Sequence, residues 1–308
     1  MASILKFGGT SLMNGVAFKK SADIIMGKHR PLVVLSAVHG VTKTLENLLY
    51  FSEESNKQTV QKQLDKIYSI HNTIMDELSL DVVVKNKINN LIKNKLDFNT
   101  GLIKQVFEHP TRFGSQYLKE NIMVTGEQIS GIIMSNYLKM CGRDTKLIEG
   151  NELFICGGLI NPYPQEISKI MIKNRIVPLL NTYEIPIITG FYGRDRHDNI
   201  ITFGRNGSDV TATFIADTLG INRVEIYKVE VNETNTGWKT GLIGVVGDNG
   251  ETISELFFDE AMTIAQTGRD VLSYGMLRPL VTNKNIIIII KNTMHPELVG
   301  TTIVQNKL

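Results

Sequence analysis

Cysteine is scarce in this chain, which has only Cys141 and Cys156 among its 308 residues. The two do not form a paired spacing, and no signal-peptide pattern precedes the first apolar segment. These absences argue against a disulfide-stapled secreted domain, and we expect a reduced, cytoplasmic protein. The longest apolar run is the five isoleucines of residues 286–290, far short of the ~20 residues that a membrane span needs. The sequence therefore predicts no membrane segment.

Excess charge of one sign is also missing, because the formal net charge is +2 and the lysines are scattered. A polyanionic partner such as nucleic acid is therefore not expected. With 42% apolar residues, the chain can bury the core of one large α/β unit or two smaller ones. A globular enzyme is the default expectation.

Several familiar site motifs are absent as well. Neither a GxxxxGK[ST] loop nor a GxGxxG turn occurs, so two common nucleotide-binding loops are missing. There is no GxSxG elbow, and the six histidines are isolated from one another. A serine hydrolase and a zinc enzyme are therefore poor hypotheses, and we predict no metal site built from protein side chains.

The chain does contain a series of short apolar segments separated by helical stretches. We predict strands at residues 4–7, 31–36, 144–147, 153–156, 185–189, 200–203, 224–227 and 286–290, with 302–304 as a final edge strand. Apolar strands without alternation, separated by helices, indicate a mainly parallel sheet covered on both faces. Residues 121–125 and 242–246 are weaker candidates for extended structure.

Helical spacing predicts the elements that cover this sheet. The helices are expected at residues 16–26, from about 44, at 126–140, 167–180, 208–219 and 257–267, with Gly220 and Gly268 as stops. Residues 53–118 are helical and polar, which predicts three or four helices over one end of the sheet as a candidate lid. No repeat or linker is visible. We therefore expect one domain, with lobes at about residues 1–190 and 191–308.

Two glycine turns at strand ends are candidate anion sites. Residues 201–219 (ITFGRNGSDVTATFIADTL) run from a strand through a turn into a helix whose first turn carries Ser208 and Asp209. Backbone N–H groups are unpaired at the positive end of such a helix, and Arg205 adds a planar fork of donors. The first strand ends at Lys6 in a similar turn. Two such turns suggest two anionic groups held close together.

Polar and glycine residues at other strand ends and helix starts extend this constellation. The candidates are Lys6, Gly8, Gly9, Ser36, Thr42, Glu127, Phe191, Arg205, Ser208 and Asp209. The carboxyl ends of parallel strands form one crevice, so distant residues can meet there. Arg205 would clamp a carboxylate, while Glu127 and Asp209 would hold an ammonium. Lys6 and the glycine amides would neutralise a phosphoryl group, which together suits a small zwitterion beside a phosphate.

Most of these residues also have a purely structural interpretation. Ser208 and Asp209 can cap a helix, and Glu127 can complement a helix dipole. Packing or turn roles remain open for Ser36, Thr42 and Phe191. Lys6 differs, because a lysine at the end of an apolar strand is hard to explain by packing.

Five motifs carry a family resemblance. They are residues 6–11 (KFGGTS), 35–42 (LSAVHGVT), 126–130 (GEQIS), 189–193 (TGFYG) and 204–209 (GRNGSD). Together, and in this order over almost the whole chain, they resemble aspartate kinase. The resemblance implies the amino-acid kinase fold, a three-layer α/β/α sandwich. It also implies phosphorylation of the side-chain carboxylate of L-aspartate by ATP with Mg²⁺.

The resemblance also implies roles for single residues. Lys6 and Gly9 would lie at the phosphoryl group and, with Asp209, form the catalytic set. The amino acid would contact Ser36, Thr42, Glu127, Phe191, Arg205 and Ser208. The nucleotide would lie against Gly8, Thr10 and Ser11. Because a carboxylate with a pKa near ~4 is already ionised at neutral pH, no general base is needed and positioning and positive charge suffice.

The nucleotide side departs from the family pattern. Aspartate kinases continue after the strand at 224–227 with a Thr-Asp-Val segment, a glycine turn and an Asp-Pro-Arg that hold the nucleotide. This chain has residues 228–239 (KVEVNETNTGWK) there, and Asp270 stands where a nucleotide-binding lysine is expected. We therefore predict a remodelled nucleotide pocket in which Lys228, Lys239 and Arg269 supply positive charge.

Two alternatives follow from these departures. One is a non-catalytic relative that binds an amino acid as a sensor or as a subunit, and the other is a kinase with a different carboxylate acceptor. The chain stops shortly after residues 300–304, which match the end of the family's catalytic domain. We expect no ACT regulatory domain and no inhibition by lysine or threonine through one. The resemblance suggests a homodimer.

Overall fold

The computed structural model describes residues 2–54, 56–108, 113–229, 244–246, 251–266 and 272–305. Its strands are β1 (Ser3–Phe7), β2 (Pro31–Leu35), β3 (Thr145–Ile148), β4 (Ile185–Thr189), β5 (Tyr192–Arg194), β6 (Ile200–Thr202), β7 (Arg223–Lys228), β8 (Glu255–Phe257), β9 (Ile287–Asn292) and β10 (Val299–Val304). Its α-helices are α1 (Gly15–Met26), α2 (Val41–Glu53), α3 (Lys57–Glu77), α4 (Val82–Glu108), α5 (Phe113–Met123), α6 (Thr125–Met140), α7 (Ile167–Asn181), α8 (Gly207–Leu219), α9 (Phe258–Gln266), α10 (Tyr274–Leu277) and α11 (Pro279–Thr282).

Eight of these strands form one sheet in the order β3-β4-β2-β1-β7-β9-β10-β8. Neighbouring strands are parallel except for the antiparallel pair β9 and β10. Every residue of β1, β2 and β4 is buried, which explains why their sequences do not alternate between apolar and polar residues. The predicted mainly parallel sheet is confirmed.

Helices cover both faces of this sheet. Leu5 and Phe7 of β1 belong to a core cluster shared with α1, α2, α3, α4 and α6. Ile4, on the opposite face of the same strand, belongs to a second cluster with α7, α8, α9, α10 and α11. Because successive side chains of a strand point to opposite faces, each central strand supports both layers. The architecture is the predicted three-layer α/β/α sandwich.

Helix α8 is placed by turns at both of its ends. Asn206 precedes it with a left-handed φ of 58°, and Gly220 ends it with a φ of 65°. Glycine adopts this conformation at little cost, so the predicted stop at Gly220 is confirmed and has a physical reason. The first turn of α8 lies beside the carboxyl end of β4, because Gly190 approaches Ser208 closely.

The prediction of a final edge strand at residues 302–304 is wrong. β10 lies between β9 and β8, and the edge is formed by β8, a three-residue strand that the sequence did not reveal. Residues 255–257 are too short to carry a strand pattern of their own. Their pairing with residues 302–304 defines the strand.

Two other extended predictions are also wrong. Residues 121–125 lie in the junction between α5 and α6, where Val124 has helical angles (φ −79°, ψ −9°). Residues 153–156 form no strand and make only isolated bridges, Ile155 with Arg194 and Cys156 with Pro164. The polar residues 194–199 do return the chain as predicted, in the antiparallel hairpin of β5 and β6.

The helices predicted within residues 53–118 are α3, α4 and α5. Their buried side chains, such as Ile67 and Ile92, belong to the first core cluster. They are therefore part of a helix layer and are not a separate lid. Of the remaining predictions, residues 242–243, 267 and Gly268 lie outside the described part of the chain, and Val246 makes one bridge with Thr252.

Candidate active site

A cavity of about 810 Å³ opens at the carboxyl ends of the central strands. Most of the predicted site residues line it, namely Lys6, Gly8, Gly9, Thr10, Ser36, Thr42, Glu127, Phe191, Arg205, Ser208 and Lys228. Lys6 and Arg205, from opposite ends of the constellation, therefore share one cleft. Its size is within the range of small-molecule sites.

The turn after β1 is held by backbone contacts on both sides. The Gly8 N–H donates to the Tyr227 carbonyl (2.9 Å), and the Gly9 carbonyl accepts from the His39 N–H (3.1 Å). A Cβ at Gly9 would lie 2.8 Å from the Ala37 carbonyl oxygen. A larger residue at this position would therefore force the turn away from the loop that follows β2. The Thr10 hydroxyl accepts from the Val229 N–H (3.0 Å).

Lys6 is a buried cation, with only 4% of its surface exposed. Its Nζ lies 2.5 Å from Oδ1 of Asp209, in the first turn of α8. Asp209 is 1% exposed, and its oxygens accept no aligned hydrogen bond within the described residues. The ion pair therefore compensates both charges. Asp209 lies behind Lys6 and is not one of the cavity-lining residues.

Lys228, the last residue of β7, adds a second cation on the cavity floor. A Cβ at Gly8 would lie 3.6 Å from Cγ of Lys228 and 3.9 Å from Nζ of Lys6, so the two side chains flank this glycine. Burial lowers the pKa of Lys228, the charge of Asp209 raises it, and the charge of Lys6 lowers it further. Two lysine side chains that flank one glycine turn favour an anion over that turn.

Glu127 projects from the first turn of α6 and is 5% exposed. Its Oε1 accepts from the Ala37 N–H (3.0 Å), whereas Oε2 has no partner among the described residues. Burial raises the pKa of Glu127 to about 8, although the Ala37 N–H, its own N–H and the charge of Lys6 act in the opposite direction. An unpartnered buried oxygen beside a cavity is suited to a ligand donor.

The opposite wall is formed by the turn before α8. Gly204 (φ 73°) and Asn206 (φ 58°) are both left-handed, and this conformation places Arg205 and Ser208 on the cavity. Phe191 has a φ of 85°, unusual for a bulky residue. Its N–H donates to the Thr211 hydroxyl (3.0 Å) and its carbonyl accepts from the Phe203 N–H (2.7 Å). Such locally strained backbone is often found at functional sites.

One predicted nucleotide contact, Ser11, does not line the cavity, and two others lie outside the described part of the chain. Ser11 is fully buried, where its hydroxyl donates to the Tyr227 carbonyl (2.9 Å) and contacts the Thr293 hydroxyl. It therefore supports the turn from below. Lys239 and Arg269 lie outside the described residues, as does Asp270.

The sequence analysis missed several lining residues, among them His39, Lys43 and Glu46. Lys43 and Glu46 form an ion pair (3.3 Å) on the first turns of α2. Thr42 had been singled out, and Glu46 follows it by one helical turn. Residues one turn apart lie on the same face of a helix, so the position of Thr42 could have predicted Glu46 as a lining residue.

The site and fold agree with what comparison with known proteins finds. The chain belongs to the amino acid kinase family, whose sequence profile matches residues 1–292. Its relatives are aspartokinases, in agreement with the resemblance predicted from the five motifs. Aspartokinase 1, chloroplastic, of Arabidopsis thaliana is 27% identical and aligns with 99% of this chain. Lysine-sensitive aspartokinase 3 of Escherichia coli strain K12 is 28% identical, again over 99% of it.

Solved structures show the same fold. The crystal structure of E. coli aspartokinase III in complex with aspartate and ADP (R-state) matches with a TM-score of 0.85 at 25% identity, over 100% of this chain and 65% of that one. A T. acidophilum isopentenyl phosphate kinase, in a product complex, matches with a TM-score of 0.50 at 10% identity, over 98% of this chain and 100% of that one. The chain spans 52% of the Arabidopsis relative and 64% of the E. coli one.

In the part of the chain that the structure describes, none of the helices has the length and apolar character that a membrane span requires. Within the same part of the chain, no group of three or more His, Cys, Asp or Glu side chains could hold a metal ion.

Proposed function

We propose that this chain transfers the γ-phosphoryl group of ATP to the side-chain carboxylate of L-aspartate. The observation that carries the proposal is the joint placement of Lys6, Arg205 and Glu127 on one cavity. Lys6 and Arg205 provide two cations for the two carboxylates of the substrate, and Glu127 provides a buried acid group for its ammonium. The similarity to aspartokinases over almost the whole chain supports the same reaction.

The acceptor is proposed to bind between the turn before α8 and the start of α6. The Arg205 guanidinium would pair with its α-carboxylate in a bidentate arrangement. The unpartnered Oε2 of Glu127 would accept from its ammonium group. Ser36, Thr42, Phe191 and Ser208 line the space between. The charge of this ammonium would lower the raised pKa of Glu127, so that Glu127 would ionise when the amino acid binds.

The donor phosphates are proposed to lie over the turn after β1. Lys6, Lys228 and the turn at Gly8 and Gly9 fit a phosphate, because two lysines and a narrow glycine turn without side chains meet there. ATP with Mg²⁺ supplies the phosphoryl group and neutralises its charge when bound. Lys6, oriented by Asp209, would reduce the repulsion between the attacking carboxylate and the phosphate. No residue has to remove a proton from an acceptor that is already ionised.

A hydroxylamine trap tests this reaction. Incubation with L-aspartate, Mg·ATP and hydroxylamine should yield aspartyl hydroxamate, and correctly folded protein that yields none rejects the proposal.

Variants test the roles of single residues. Lys6→Met should lower kcat by roughly a hundredfold, because the positive charge beside the transferred phosphoryl group is lost. Arg205→Gln should raise KM for aspartate by about tenfold or more. Lys173→Gln, an exposed residue of α7, should change neither constant.

Amino-acid binding without catalysis is the second candidate. It is favoured by residues 228–239, which replace the nucleotide-holding segment of aspartate kinases, and by Asp270. Calorimetry separates the two candidates, because aspartate binding without any binding of an ATP analogue favours a sensor or a subunit. A panel of acidic amino acids in the hydroxylamine trap identifies a different carboxylate acceptor. The remodelled nucleotide pocket, the homodimer and the cytoplasmic location stay predictions.

A further inference from the structure

A second pocket, of about 320 Å³, lies at the amino ends of β2, β3 and β4. We call it the basal pocket, and it is lined by Lys28, His29, Arg30, Arg143, Tyr183 and Glu184, among others. The cavity of the candidate active site lies at the carboxyl ends of the same strands. With five residues in β2, the two are separated by roughly 15 Å of sheet. The basal pocket therefore needs a separate explanation.

Positive charge dominates the lining of the basal pocket. Lys28, Arg30 and Arg143 contribute three cations, against one carboxylate from Glu184. Lys28 is already paired with the buried Glu225, at 3.0 Å from both carboxylate oxygens. Within the described residues no carboxylate pairs with Arg30 or Arg143. These two guanidinium groups therefore leave a net positive charge in the pocket.

Arg30 is held in place although it has no partner for part of its guanidinium. Its Cζ lies 4.4 Å from the centroid of the Tyr183 ring, a cation–π contact. Its Nε is buried and has no hydrogen-bond partner among the described residues. Arg30 (φ 50°) and Tyr183 (φ 62°) both adopt left-handed backbone angles. The chain thus keeps a strained pair that fixes a guanidinium with an unused donor.

Arg143 approaches the same space from the segment before β3. Its Nη1 donates to the Met26 carbonyl (3.1 Å), which anchors one edge of the guanidinium. A guanidinium has five N–H donors, so the others stay available to a ligand. Fixed arginine forks are the protein groups best suited to bind carboxylate or phosphate oxygens.

We propose that the basal pocket is a second ligand site, which binds a small molecule through a phosphate or carboxylate group held by Arg30 and Arg143. The exposed ring of Tyr183 would pack against the body of that ligand. This site is independent of the proposed kinase reaction. A pocket of this volume can accommodate a small metabolite.

Backbone amide shifts in ¹⁵N-labelled protein test the proposal with two probes, inorganic phosphate and succinate, at constant ionic strength set by chloride. The amides of residues 28–30, 143 and 183–184 should shift saturably with one common Kd, in the native chain and in Arg205→Gln. Tighter binding of phosphate identifies a phosphate ligand, and tighter binding of succinate identifies a carboxylate. Shifts confined to Gly8, Gly9 and Thr10, or none that saturate, overturn the proposal.

Variants add an independent test. Arg30→Gln with Arg143→Gln should raise the Kd by about tenfold or more, because two charge-assisted hydrogen bonds are lost. Lys173→Gln on the exposed side of α7 should leave the Kd unchanged. An unchanged Kd in the double variant overturns the proposal. Should the double variant not fold, the amide shifts of the native chain decide.

Discussion

Glu127 is an acidic residue with only 5% of its surface exposed. It is held by one backbone hydrogen bond and has one oxygen without a partner among the described residues. Burial raises its pKa from 4.5 to about 8. Between pH 4.5 and about pH 8, the folded protein therefore keeps a proton on Glu127 that the unfolded chain has released. The free energy of unfolding must then fall as pH rises through this interval.

Glu127→Gln should remove this pH dependence. Glutamine keeps an oxygen for the Ala37 N–H but cannot ionise. The stability of the native chain relative to the variant should fall between about pH 4.5 and about pH 8, with a slope near 1.4 kcal/mol per pH unit, and then level off. Urea unfolding from pH 5 to pH 9 measures this difference. A flat difference between the native chain and Glu127→Gln contradicts the assignment.

Gly9 tests the steric requirement of the turn after β1. In Gly9→Ala, the new Cβ would meet the Ala37 carbonyl at 2.8 Å and the His39 nitrogen at 3.3 Å, both backbone atoms. We expect a loss of stability of about 1–3 kcal/mol and a fall in hydroxamate formation. Gly101→Ala is the opposite control, since its Cβ meets nothing within 4 Å in α4, and it should stabilise by about 0.5–1 kcal/mol. Equal effects at both glycines would refute the steric explanation.

Most of the individual site residues could be predicted, but their partners could not. Lys6 and Arg205 follow strand ends, so a parallel sheet alone brings them to one edge. The contact of Lys6 with Asp209 and that of Glu127 with the Ala37 N–H join residues far apart in the chain. Asp209 was predicted to hold the substrate ammonium, and in the structure its carboxylate contacts the ammonium group of Lys6. Such pairings depend on helix placement to within an ångström.

At the level of elements, the buried carboxylate of Glu225 in β7 pairs with Lys28, which lies just after the end of α1. Glu225 accepts from Lys28 (3.0 Å), from Arg223 (2.6 Å) and from the Tyr227 hydroxyl. Burial raises its pKa, but the hydrogen bonds from Tyr227, Arg223 and Lys28 outweigh this and lower the pKa to about 2. The Tyr227 carbonyl in turn accepts from the Gly8 N–H. This cluster therefore supports the strand on which the phosphate turn rests.

Glu225→Gln should destabilise the protein by on the order of 3 kcal/mol at neutral pH, because a charged network loses its centre. The folded pKa lies below the unfolded value of 4.5, so this stabilisation is present above about pH 4.5 and is lost as pH falls toward about 2. Urea unfolding at pH 3, 4, 5 and 7 measures the decline. Asp23→Asn, in an exposed pair with Lys19, should cost no more than about 0.5 kcal/mol. A difference that grows toward low pH would reject this account.

The elements predicted correctly are those with a long pattern of their own, such as β2, β9 and α8. Those predicted wrongly were short or depended on partners. β8 has three residues and is defined by its pairing with β10. The junction of α5 and α6 contains Ile122 and Met123, which lie against the first core cluster, and Val124, which packs with Tyr192 and Ile200. Tertiary packing outweighs local preference at such positions.

For the whole molecule, the decisive feature is that the sheet continues across the predicted boundary between lobes at residues 190 and 191. β1 pairs with β2 on one side and with β7 on the other. Both core clusters include side chains of these same central strands. Loss of either helix layer would expose one face of strands that the other layer needs. We expect the two faces to unfold together.

Unfolding in urea should therefore show one transition, with coincident curves from far-UV circular dichroism and tyrosine fluorescence. Ile133→Val in the first core cluster and Ile215→Val in the second each delete one buried methyl group. Each should lower the same midpoint, by about 0.5–1.5 kcal/mol in the free energy of unfolding. Val177→Ala, at an exposed position of α7, should stay within about 0.5 kcal/mol of the native chain. Two separate transitions, each shifted by only one of the core variants, would show instead that the core clusters on the two faces of the sheet unfold independently.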